Sequence, residues 1–98
     1  MGNSVRTAQF LIESRLADAA RGNGQALFDL GMAYSTGHGD LAVDYVAAHK
    51  WFNLAALAGI EEAQYLRAEV SEEMTAREIA EAQRQARAWV AATSRAAA

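Results

Sequence analysis

The sequence predicts an all-α chain, and three observations lead there. Of the 98 residues, 24 are alanine and none is proline, respectively the best and worst residues for a helix interior. Apolar residues recur at steps of three and four, which gathers them on one side of a helix. The segments so defined are joined by short glycine-bearing connections that favour antiparallel neighbours. Nothing in the chain alternates with the period of two that marks a strand.

Five helices are expected. The first runs from Ser4 to about Arg21, with Val5, Ala8, Leu11, Ile12, Leu16, Ala19 and Ala20 on one side. "RGNG" ends it, because Gly22 suits a left-handed C-terminal position and Asn23 can cap the next helix. The second runs from Gln25 to about Ser35, carrying Ala26, Leu27, Leu30, Ala33 and Tyr34, and "TGHGD" (Thr36 to Asp40) then reads as a turn. The third begins near Asp44, whose carboxylate can accept from the free amides of the first turn, and closes at Gly59. The fourth spans Glu61 to about Ser71. The fifth opens at "TARE", where Thr75 and Glu78 have the spacing of a capping box, and continues with Ile79, Ala82, Ala86, Trp89 and Val90 as its apolar stripe. Past Thr93 the tail "SRAAA" is expected to fray.

Composition narrows the function classes. With 52% hydrophobic and 21% charged residues the chain can fold, and 98 residues make one domain at most. A net charge of −3 is the wrong sign for a general nucleic-acid binder. The absence of cysteine removes disulfides, thiolate metal sites and a cysteine nucleophile. No apolar run approaches the ~18 residues of a membrane span. "MGNSVRTAQF" has no signal-peptide core, and it matches a myristoylation start only as far as Gly2, since Arg6 stands where Ser or Thr is needed. A cytoplasmic location is the default expectation; a periplasmic one would follow if the chain were cut from a longer exported protein.

The chain also repeats weakly. A shift of 37 residues (59 − 22) lays Gly22 on Gly59, Ala19 on Ala56, Ala26 on Ala63, Phe28 on Tyr65 and Gly31 on Ala68. The agreeing positions are small and aromatic packing positions, as a helical-hairpin array requires.

"ALFDLGMAYSTGHGD…DYVAAHKWFNLAALAGIEEAQ" resembles the Sel-one-like repeat, a relative of the tetratricopeptide repeat. The positions that match are Ala26, Leu30, Gly31, Tyr34, Gly37, Gly39, Asp44, Ala47, Trp51, Ala55, Ala56, Gly59 and Ala63. The tail "MTAREIAEAQRQARAW" is similar to the closing helix that comes after such repeats in bacterial proteins. The resemblance implies a right-handed α/α superhelix of antiparallel hairpins: an N-terminal helix at 4–21, one clear repeat at 24–59, and a degenerate repeat with a capping helix at 60–95. Two departures stand out. The turn from Gly39 to Asp44 is longer than usual by a single residue, with Asp40 where a valine is expected. The second copy has Arg67 for the leucine and Ser71 for the tyrosine.

Gly31 inside a helix costs about 1 kcal/mol against alanine, so close approach of another helix, the third, is expected to compensate. On a helical wheel of that third helix, Ala47, Trp51, Leu54, Ala55 and Ala58 form a packing side, while His49, Lys50 and Asn53 fall opposite on a wetter side where His49 and Asn53 can share a hydrogen bond.

Site chemistry is thin. A metal site would have to use His38, His49, Asp40 and Asp44, which lack the spacing of a zinc motif. There is no nucleophile elbow and no phosphate loop, so no catalytic, cofactor-binding or metal-ligating residue is assigned. Glu61, Glu62, Glu69, Glu72 and Glu73 read as an exposed acidic face.

Partner binding is the better prospect, because such repeats present the first helix of each hairpin on a concave face. Gln25, Phe28, Asp29 and Met32 are the candidates there, with Glu62, Tyr65, Leu66 and Glu69 as their counterparts. An aromatic and methionine strip edged by carboxylates suits an extended basic or amphipathic peptide. The expectation is therefore a non-catalytic adaptor that binds a protein or peptide. The alternatives are an envelope-associated scaffold or regulatory fragment of a larger bacterial protein, and a small hydrolase or enzyme accessory using the acidic face. One repeat is short for an array, so the flanking helices must complete the core, or the chain pairs with itself as a homodimer.

Overall fold

The computed structural model describes residues 3–37 and 39–97 and contains five helices with no strand among them. They are α1 (Asn3–Ala20), α2 (Gly24–Thr36), α3 (Tyr45–Leu57), α4 (Glu61–Ser71) and α5 (Ala76–Ala97). The all-α expectation holds. No helix among the described residues is long and apolar enough to cross a membrane.

Side-chain caps fix three of the helix starts. Asn23 accepts from the Ala26 amide at 3.1 Å and Asp44 from the Ala47 amide at 3.0 Å. At α5 the capping box is closed both ways: the Thr75 amide donates to Glu78 Oε1 at 2.8 Å and the Glu78 amide to Thr75 Oγ1 at 3.1 Å. Gly22 and Gly59 hold φ of +85° and +99° just after α1 and α3, the left-handed backbone that ends a helix and that L side chains resist. One expectation fails at the C-terminus, where α5 stays helical through Ala97 rather than fraying past Thr93. Its last turns are rich in alanine, and the Thr93 hydroxyl donates to the Trp89 carbonyl at 2.8 Å.

α2 and α3 form the antiparallel pair. The Asp44 amide at the start of α3 donates to the Tyr34 carbonyl near the end of α2 at 2.9 Å. At the other end, Gly24 lies against Ala58 and Ile60. Midway, Gly31 faces the ring of Phe52 so closely that a Cβ would lie 2.5 Å from two ring carbons. The expected close approach is thus present, made by an aromatic ring rather than by the alanines of α3.

α3 is the centre of the molecule. It packs against α2, α4 and α5, while α1 packs chiefly on α2. Phe52, Ala48 and Ala55 are wholly buried, joined in the core by Ala19, Leu27, Leu30, Trp51, Leu54, Ala63, Val70 and Ala86. No comparable packing joins α4 to α5. Under the 37-residue shift the residue that falls on Phe52 is Trp89. Trp89 stands edge-on against Trp51 of α3, at a centroid separation of 4.8 Å, instead of covering Ala68 of α4. Ala68, the counterpart of Gly31, is exposed.

Candidate interaction surfaces

The expected binding strip on α2 is partly consumed by the fold. Phe28 is half-buried and packs at 5.8 Å, tilted, against Phe52. Asp29 engages both carboxylate oxygens: Oδ2 pairs with Arg15 Nε of α1 at 3.1 Å, and Oδ1 accepts from Gln25 Nε2 at 2.9 Å. Met32 remains 37% exposed. It lines a groove of about 270 Å³ between α1 and α2, together with Leu11, Ile12, Ala33, Leu41 and the Arg15–Asp29 pair.

On α4, Glu62, Tyr65 and Glu69 are exposed, Tyr65 at 77% of its surface, while Leu66 turns inward to the core. Residues three and four apart share a helix face, so Glu61, Glu62 and Glu69 border the Tyr65 ring. α2 and α4 make no extensive contact with each other among the described residues; each packs mainly on α3. The two halves of the expected strip are therefore separate patches. The exposure of Glu62 and Glu69 also removes the buried carboxylate on which a hydrolytic role for this face depends.

The wetter side assigned to α3 needs correcting. His49 is buried, only 3% exposed, and its Nδ1 has no hydrogen-bond partner among the described residues. Asn53 does not share a bond with it: Asn53 Oδ1 accepts from Arg67 Nη1 of α4 at 2.8 Å. Burial first, and the Arg67 charge second, hold the imidazole below its ordinary pKa. Lys50 is half-buried, with Nζ 4.4 Å from the ring centroid of Trp51 and 5.6 Å from that of Trp89. Burial lowers its pKa as well. Ala58, assigned to the packing side, is exposed where α3 ends, and Ala47 is half-buried. The physical reason is that α3 touches three helices, so its buried arc extends well beyond the single stripe of an amphipathic helix.

Of the residues weighed for a metal, Asp44 is occupied in capping α3, His49 is enclosed, and His38 lies outside the described residues. No group of three or more His, Asp or Glu side chains converges among the described residues. Near the α2–α3 turn, burial and the Asp44 charge raise the Tyr34 pKa, which keeps its hydroxyl protonated.

A second surface was missed in the sequence. Leu57 is 75% and Val90 44% exposed, and they face each other across the α3–α5 seam. A groove of about 270 Å³ lies there, lined by Asn53, Leu54, Leu57, Ala86, Val90 and Ala91, with Arg87 at its edge. A second hollow of about 350 Å³ adjoins it, reaching Ala19 and Ala20 of α1. The available signal was Leu57 itself, a large apolar residue off the predicted packing side. Comparison with protein-family models, with curated proteins and with solved structures finds no match for this chain.

Proposed function

We propose that the chain is a non-catalytic protein-interaction module of Sel-one-like type that takes an extended basic or amphipathic peptide. The observation that carries this reading is the α1–α2 groove, where the exposed Met32 lies among mostly apolar lining residues. Methionine is a side chain that adapts to varied partners, and an open apolar cleft with few polar groups is the form that peptide grooves take. The family reading is supported by the structural roles of its motif positions. Gly31 admits Phe52, Asp44 caps α3, Trp51 is buried, and Ala26 and Ala63 are packed without exposed surface to spare. In the superhelix this reading implies, α2–α3 is the complete hairpin and α4 with α5 is the closing element.

The test is titration of the isotopically labelled chain with basic amphipathic peptides, followed by amide and methionine-methyl shifts. Shifts clustered at Leu11, Met32 and Ala33, and lost in Met32→Glu, are expected. Shifts that map elsewhere, or that survive Met32→Glu unchanged, would overturn the assignment.

A further inference from the structure

We infer that the chain associates with a second copy of itself head to tail: the acidic face of α4 around Tyr65 in one copy seats on the α3–α5 face around Leu57 and Val90 in the next. Tyr65 and Leu57, at 77% and 75%, are the two most exposed large hydrophobic side chains among the described residues. Leu57 adjoins the exposed Val90 in one apolar patch of the kind that marks interaction sites, and Tyr65 presents a single exposed ring. Their surroundings carry opposite charge. Tyr65 is bordered by Glu61, Glu62 and Glu69, none of which has an ion-pair partner among the described residues, while Arg67, which lines the same hollow, donates to Asn53 of α3. The Leu57–Val90 face is edged by Arg87, one turn before Val90. Arg95 lies beyond it, with Nε donating to the Ala91 carbonyl at 3.3 Å. Neither arginine pairs with a carboxylate among the described residues.

A basic-edged apolar face on a chain of net charge −3 stands apart from the rest of the surface. The chain itself supplies the complementary surface, a single helix bearing one aromatic between carboxylates. Complementary charge of this kind fixes register and partner choice. Two different patches meet in this contact, so it is heterologous and does not close as a two-fold pair; copies add in one direction. It uses neither Met32 nor the α1–α2 groove, and stands whether or not a peptide binds there.

Sedimentation velocity across a concentration series tests it directly. Wild type should gain mass with concentration at low salt and lose that gain as salt screens the charges. Arg87→Glu and Glu69→Arg, both at exposed positions, should each weaken association by at least about tenfold, since each places like charges at the contact. Mixing the two variants should restore it. The Arg87→Glu copy offers its native α4 to the other's native arginine face, and the reversed pair now also matches. Met32→Glu should associate like wild type. A wild type that stays monomeric throughout overturns the inference, as do single variants that associate unchanged or a mixture that fails to recover.

Discussion

Replacing Gly31 by alanine sets helix propensity against packing, and the structure says which wins. The added Cβ would lie 2.5 Å from Cδ1 and Cε1 of Phe52 and 2.9 Å from Cγ. Non-bonded carbons rest about 3.5–4.0 Å apart, so the overlap is on the order of 1 Å. Phe52 has no exposed surface and its ring also packs against Phe28, so it has no open space to move into. Overpacking of a close-packed core costs about 1–3 kcal/mol, while alanine gains about 1 kcal/mol over glycine in a helix. A net loss on the order of 1 kcal/mol is expected, which lowers Tm by about 4–8 °C in a domain of this size. Urea unfolding followed by circular dichroism measures it. Adding Phe52→Leu should relieve the clash, so the double variant should lose less than the two single losses combined. If Gly31→Ala melts at or above wild type, propensity alone governs the site and the packing argument is wrong.

Two further outcomes concern α3. His49 has a folded-state pKa below its ordinary value, so the unfolded chain takes up the proton first. The contribution of His49 to stability should be complete above about pH 6.5 and be lost as the pH drops below it. Denaturant midpoints on either side of that value should show the fall, and His49→Gln should shrink it; an unchanged pH response would exclude His49 as its source. Glu81, held at about 2 by Arg84 and Gln85, contributes its own pH dependence only at lower pH, below its ordinary 4.5. Trp51→Ala should cost about 3–5 kcal/mol, a large share of the roughly 5–15 kcal/mol typical of a domain. Helical signal should be lost at moderate temperature, whereas Trp51→Phe should keep it; an unmoved melting curve in Trp51→Ala would remove Trp51 from the core.

Local features were legible in the sequence because they depend on few residues. Asn23, Asp44 and the Thr75–Glu78 box each cap the helix that their spacing indicated. Gly31 was legible for a similar reason: a glycine within a helix asks for a close neighbour. His49 and Phe52 were not, since a wheel assumes one buried side and α3 has partners on three. Phe28 and Tyr65 fall on each other under the 37-residue shift, yet one is packed and the other exposed. Their difference depends on where α5 goes, and no local pattern near either residue encodes that. The same holds for the Leu57–Val90 face, which exists because α5 packs along α3 rather than closing on α4.

The central place of α3 also grades how the molecule comes apart. α1 packs chiefly on α2, so it can open while α3 keeps its contacts with α2, α4 and α5. No partner of α3 can leave without exposing some of its side chains to water. Opening free energies should therefore rise from the ends of the chain toward its middle, with the amides of α3 exchanging near the global limit. The segment "AAHKWFNLAA" is thus both the least amphipathic-looking part of the chain and the one whose backbone is guarded longest.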